Sequence, residues 1–299
     1  MNQPVNSLYK SLDFFARQTV EGFITGMHKS PFQGFSVEFA EHRVYNPGET
    51  TRHIDWKLFA RTDNLYVKRY DEETNLRAHL LLDTSPSMYY PNANNSKIDF
   101  SLKAIAVLSL LLKKQRDAFG LTCFSDQIEW QTPVRSSEGH YQELLQHLSM
   151  VANSKPNPKK TDLVKMLHLM AEKIKRRSLV MLFSDMFDSF ESLDKLFDAF
   201  NHLKFKKHEI IIFHTVAAKE EIDFDFTPGP YKFVDPESGA EFKVNAEDVR
   251  NDYLVHIKEF NKVLKEKCLQ YKIEFVEADI YKGFDQIMLP FLVKRQKLF

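Results

Sequence analysis

From residue 76 onward the chain alternates short apolar runs with amphipathic stretches, and this alternation limits its fold more than any other feature of the sequence. The runs are Ala78 to Leu82, Leu121 to Phe124, Leu179 to Phe183, Ile210 to Phe213 and Ile273 to Val276. Stretches with helical periodicity fall near 97–117, 140–151, 162–176, 191–204 and 248–270. Strands that are apolar on both faces and separated by helices belong to a parallel sheet covered on both sides, so the fold class is α/β, doubly wound and mostly parallel. One segment breaks the pattern. Phe119 to Trp130 turns at Ser125-Asp126 with no room for a helix, so it predicts a hairpin that adds one antiparallel edge strand. A second hairpin is expected as an insertion near 222–245, where Tyr231–Val234 and Glu241–Val244 flank Pro236-Glu237-Ser238-Gly239.

The first 75 residues read differently. Leu8, Leu12, Phe15, Phe23 and Met27 form one stripe of a helix over 6–28, expected to dock on the rest of the chain. Phe35, Val37 and Phe39 alternate as a strand, Asn46-Pro47-Gly48 turns, and Leu65, Val67 and Arg69 suggest a returning strand. That is too little for a separate core. The expected organisation is therefore 1–75 as a helix plus β extension packed on a main domain at 76–299.

Charge and composition exclude several classes of function. Lysine plus arginine equals aspartate plus glutamate at 41 each, so no net field favours nucleic acid or an anionic membrane. No apolar run approaches the roughly 20 residues needed to cross a bilayer, and the first residues lack a secretion signal, so the expectation is a cytoplasmic protein. Two cysteines, Cys123 and Cys268, suit a reducing compartment and read as buried thiols. The histidines show no zinc spacing, and there is no Walker phosphate loop.

The chemistry lies at strand ends. Leu82-Asp83-Thr84-Ser85-Pro86-Ser87 places one carboxylate and two hydroxyls just past the first buried strand, and Phe183-Ser184-Asp185 ends another in a second carboxylate. Hard oxygen donors of this kind suit Mg²⁺, with Mn²⁺ also possible. In an open doubly wound sheet, ligands bind beyond the carboxyl ends of strands where the strand order reverses. If these two strands flank that point, Asp83 and Asp185 converge. Thr161 precedes an amphipathic helix and can join the same crevice. Plainer readings exist for each residue: turn formation by Asp83 to Ser87, and helix capping by Thr161 or by Asp188.

Asp83-x-Ser85-x-Ser87, then Thr161, then Asp185 resembles the metal-ion-dependent adhesion site of von Willebrand factor A domains. The resemblance implies that Ser85 and Ser87 ligate the ion directly and Thr161 directly or through water. It also implies that Asp83 and Asp185 act by charge and through water, and that a partner's carboxylate completes the octahedron. Lys159-Lys160 before Thr161 departs from the small residues usual there. The upstream segment from Glu41-His42-Arg43-Val44-Tyr45-Asn46-Pro47-Gly48-Glu49 to Arg52-His53-Ile54-Asp55-Trp56-Lys57-Leu58-Phe59-Ala60-Arg61-Thr62 is similar to the domain-of-unknown-function-fifty-eight family. That is a von Willebrand factor A-like family associated with MoxR-type AAA+ ATPases. Arg43, Arg52, Asp55, Lys57 and Arg61 are expected to form a salt-bridge network around a buried Trp56, or else a partner surface.

Two functions compete at this level. The first is a non-enzymatic, Mg²⁺-dependent protein-binding module. It would be an adaptor or co-chaperone for a MoxR-type ATPase or its client, recognising an acidic side chain, with no nucleic acid and no membrane insertion. The alternative is a haloacid-dehalogenase-like phosphohydrolase with Asp83 as nucleophile. That chemistry needs a general acid two residues later, where Ser85 stands.

Overall fold

The computed structural model describes residues 3–27, 41–44, 56–62, 64–69, 76–91, 95–154, 161–175, 177–187, 193–237 and 239–296. In chain order the elements begin with helix α1 (Gln3–Met27), strand β1 (Glu41–Val44), helix α2 (Trp56–Thr62) and strand β2 (Tyr66–Arg69). The sheet region follows with β3 (Arg77–Asp83), α3 (Lys97–Lys114), β4 (Ala118–Phe124), β5 (Ile128–Gln131), α4 (Glu138–Asn153), α5 (Leu163–Lys173) and β6 (Leu179–Ser184). It continues with α6 (Leu193–Phe205), β7 (Glu209–Val216), α7 (Ala218–Glu221), β8 (Pro230–Val234), β9 (Glu241–Asn245), α8 (Ala246–Gln270), β10 (Glu274–Asp279) and α9 (Phe284–Gln296). These residues divide into two units, one of residues up to Phe23 with Leu76 to Phe299, the other Ile24 to Asn75.

In the larger unit six strands form one sheet in the order β10-β7-β6-β3-β4-β5. All neighbours are parallel except β4 and β5, the antiparallel edge hairpin expected from Phe119 to Trp130. This is a von Willebrand factor A-like doubly wound fold. Gly120 in β4 permits the close return of the chain after β5, since a Cβ there would lie 3.0 Å from Val134 Cγ2 and 3.3 Å from the Pro133 carbonyl oxygen.

Side chains alternate across the sheet. Leu81, Val180, Leu182, Ile210 and Ile212 are buried in one core with α5, α6 and α8, through residues such as Leu167, Phe200 and Leu264. On the other side Phe213 stacks on Phe183 and meets Phe291 of α9 edge-on at 5.0 Å. Helix α3 is buried almost all round. Ser96 caps its start by accepting from the Asp99 N–H at 3.3 Å, and Lys113 and Lys114 end it where cations suit the helix dipole. Phe15 of α1 packs edge-on against Phe284 at 5.0 Å, and Ala16 and Val20 are wholly buried. The first helix thus groups with the sheet, while the β excursion forms the smaller unit.

Leucines such as Leu80, Leu81 and Leu82, fully buried, are each worth about 2–5 kcal/mol against alanine. A core of this kind supplies the scaffold from apolar contacts alone.

In the smaller unit β1 and β2 pair antiparallel, from Glu41 opposite Arg69 to Val44 opposite Tyr66. Trp56 does not have the burial expected of it. It is 59% exposed at the start of the short helix α2, with the Phe59 ring 6.2 Å away, because a seven-residue helix offers little to cover an indole. The side chains of Arg43 and Lys57, and residues 52 and 55, lie outside the described residues, as do the strand expected at 35–39, the turn at 46–48 and Asp188.

Candidate metal centre

Strands β3 and β6 lie side by side with Leu82 opposite Phe183, so their loops leave the sheet at one level. From β3 the chain crosses to β4 and β5 on one side, and then to β6, β7 and β10 on the other. The strand order therefore reverses between β3 and β6, which is where Asp83 and Asp185 stand.

Asp83 is 2% exposed and held at both oxygens. Its Oδ1 accepts the Ser85 N–H at 2.9 Å, and its Oδ2 accepts the Ser184 hydroxyl at 2.8 Å. Ser184 Oγ in turn accepts the Met186 N–H at 3.0 Å. The Ser85 and Ser87 hydroxyls lie 3.0 Å apart on the 3-10 turn of Pro86–Tyr89, which Pro86 initiates. Met186, directly after Asp185, is buried at φ 59°, a conformation that costs a non-glycine residue roughly 1–2 kcal/mol. Backbone strain of this sort concentrates at functional sites.

Asp185 has a partner the sequence did not reveal. Lys97, with 0% exposure, donates to Asp185 Oδ2 at 2.7 Å and to Glu221 Oε1 at 2.5 Å. Burial alone would push the Asp185 carboxyl up. The Lys97 ammonium, the Ser87 hydroxyl and the Phe187 N–H outweigh it and hold Asp185 below the usual carboxylate range. Among the described residues no cation pairs with Asp83, and burial and then the Asp185 charge push it up to about 7. His214 donates its Nε2–H to the Asp185 carbonyl oxygen at 3.0 Å, and burial pulls its pKa down to about 4, so the ring is neutral.

Thr161 is buried at 3% exposure, and its hydroxyl donates to Glu237 Oε1 at 3.2 Å. The cap of α5 is Asp162, which accepts from the Lys165 N–H at 2.9 Å, so Thr161 is not the capping residue. The Asp162 N–H points at the Ser125 carbonyl oxygen at 3.5 Å, and the Thr84 N–H donates to Phe124 O at 2.8 Å. The Thr161 and Asp83 loops thus meet the same end of β4. Among the described residues no hydrogen bond joins Thr161 to Asp83, Ser85, Ser87 or Asp185.

The structure therefore brings Asp83, Ser85, Ser87 and Asp185 into one hydrogen-bonded group and places Thr161 on an adjoining loop. Sequence reading missed Ser184, Lys97 and Glu221. Lys97 stands in the first turn of its helix, where a cation opposes the dipole, but nothing in the sequence says that it is buried against Asp185.

The donor set fits a small hard cation. Adjacent ligands of an octahedral Mg²⁺ at 2.0–2.1 Å stand about 2.9 Å apart, close to the hydroxyl pair of Ser85 and Ser87. Fully ionised, Asp83, Asp185 and Glu221 set three negative charges against the single positive charge of Lys97, leaving two that a divalent ion would neutralise. Among the described residues no three His, Cys, Asp or Glu side chains cluster as a metal site, so a cation bound here would depend on the hydroxyls as well.

A family model described as protein of unknown function DUF58 matches residues 41–262, from β1 through most of α8. The chain belongs to the DUF58 family. Curated relatives include uncharacterized proteins of Mycobacterium tuberculosis and Mycobacterium bovis, 24% identical over 176 residues, which cover 59% of this chain and 55% of theirs. This DUF58 chain therefore spans about half the length of the curated relatives it matches. Similar solved structures include a conserved hypothetical protein, BatB, from Bacteroides thetaiotaomicron, at 15% identity and a TM-score of 0.45, covering 74% of this chain and 99% of that one. Another is an aerotolerance-related membrane protein from Bacteroides fragilis, at 14% identity and a TM-score of 0.43, covering 71% and 96%.

Proposed function

We propose that this DUF58 protein is a non-enzymatic, Mg²⁺-dependent protein-binding module, an adaptor or co-chaperone working with a MoxR-type AAA+ ATPase or its client. The observation that carries the proposal is the hydroxyl pair of Ser85 and Ser87, 3.0 Å apart and flanked by Asp83 and Asp185 at the strand-order reversal. In this reading Ser85 and Ser87 are direct ligands, Thr161 a direct or water-mediated one, and Asp83 and Asp185 hold the waters. A metal bound mainly by neutral hydroxyls keeps enough charge to attract a partner's glutamate or aspartate. The ATPase partnership rests on the family resemblance.

A phosphohydrolase reading has less support, because Ser85 stands where a general acid is required. Among the described residues no helix is long and apolar enough to cross a membrane, which is compatible with the cytoplasmic setting included in the proposal. The test is capture of a MoxR-type ATPase from the same organism on immobilised chain, in Mg²⁺ and in EDTA. Retention in Mg²⁺ alone, lost in Asp83→Ala, supports the adaptor. Retention that ignores both changes removes the metal from the interaction.

A further inference from the structure

The β8–β9 hairpin stands outside the sheet, yet its tip reaches Thr161, on the loop adjoining the Ser85 and Ser87 hydroxyls. Its turn is tightly built: the Asp235 N–H donates to Ala240 O at 2.9 Å, and the Gly239 N–H to Asp235 O at 2.8 Å, with Gly239 at φ 71°. The Glu237 N–H donates to Asp235 Oδ1 at 3.0 Å, which fixes the backbone that carries the Glu237 carboxylate. The base is anchored as well. Phe233 meets Phe226 at 5.2 Å, Phe226 meets Phe224 at 4.9 Å, and Phe224 meets Tyr253 of α8 at 4.9 Å. A hairpin held at both ends delivers its side chain to one place, and Glu237 Oε1 lies 3.2 Å from the buried Thr161 hydroxyl, 76 residues away in sequence.

We infer that Glu237 is an internal carboxylate ligand of this site, occupying the position a partner's acidic side chain would take, so that a partner must displace the hairpin tip. The inference rests on the metal-dependent reading above. Its chemistry is that of the proposed partner, a carboxylate, and the residue it touches is the candidate ligand on the loop adjoining Ser85 and Ser87. The consequence is a site closed by its own chain, which an acidic peptide opens by competition.

The experiment uses Mn²⁺ and the water-proton relaxation it induces, on the full wild-type chain, Glu237→Gln and the control Glu241→Gln. Glu241 pairs with Lys232 at 2.6 Å on the same hairpin, so its variant makes the same charge change away from the tip. The expected result is that Glu237→Gln binds Mn²⁺ several-fold more weakly, while each bound ion relaxes water more because a coordination position has opened. Glutarate should then suppress that relaxation in Glu237→Gln but not in wild type, and Glu241→Gln should follow wild type. Equal affinity, relaxation and glutarate response in wild type and Glu237→Gln would overturn the internal ligand while leaving the metal site standing. Absence of Mn²⁺ binding to wild type would overturn the metal site and the internal ligand together.

Discussion

Lys97→Met is the substitution that most sharply probes how this site is balanced. Met keeps the unbranched bulk of the lysine stem and removes the ammonium that bridges Asp185 and Glu221. Lys97 is wholly buried, and its ammonium also lies 5.0 Å from the Phe187 ring, so water does not replace it. Breaking a buried ion pair from one side costs about 3–5 kcal/mol, because the remaining charge is left without a partner. At about 2–4 °C per kcal/mol for a chain approaching this size, the melting temperature should fall by roughly 6–20 °C. The assay is urea and thermal unfolding at pH 8, above the pKa of about 7 held by Asp83, with EDTA or with Mg²⁺. Removing Lys97 leaves a more negative cluster, so Mg²⁺ should restore more stability to the variant than it adds to wild type. A variant within about 1 kcal/mol of wild type, with the same response to Mg²⁺, would refute the charge balance assigned to Lys97.

Two further outcomes are expected. His147 stacks on Trp130 at 3.6 Å, and burial pulls its pKa from the usual 6.5 to about 4. Between those values the unfolded chain binds the extra proton, so stability present above pH 6.5 is lost as pH falls toward 4. His147→Phe keeps a ring against Trp130 and should reduce that acid loss by about 2 kcal/mol, allowing for partial exposure; parallel urea midpoints for the two proteins from pH 7 to 4.5 would contradict this. Ala16→Glu places an unpaired charge at a wholly buried position of α1 and should destabilise the protein by about 3 kcal/mol or more, read as a lower urea midpoint. An unchanged midpoint would mean that α1 does not dock.

The parallel sheet was legible because both-face burial leaves near-continuous apolar runs. Leu80 to Leu82, Leu179 to Phe183 and Ile210 to Phe213 each lie within a strand of the observed sheet. The edge hairpin was legible from its length, and the second hairpin from its Pro-Glu-Ser-Gly turn. Helix α9 was not. It carries Pro290 within it, and the exposed Leu289 and Val293 blur in sequence the stripe that Ile287, Met288, Phe291 and Leu292 bury on one face. Asp83 and Asp185 could be placed because strand ends and strand order determine where they fall. The Lys97–Asp185 and Thr161–Glu237 contacts could not, since they join residues 88 and 76 positions apart through side-chain packing that has no periodic trace.

The central claim is a divalent-cation site built on the Ser85 and Ser87 hydroxyls, and calorimetric titration of Mg²⁺ and Mn²⁺ into wild type, Ser85→Ala and Asp83→Ala tests it most directly. Wild type should bind one ion, Ser85→Ala should bind it more weakly, and Asp83→Ala should lose most of the affinity. Unfolding in EDTA should leave Asp83→Ala within about 1 kcal/mol of wild type, because the apolar core stands without the ion and the charge opposing Asp185 has been removed. Absence of binding by wild type, or equal affinity in all three proteins, would contradict the account.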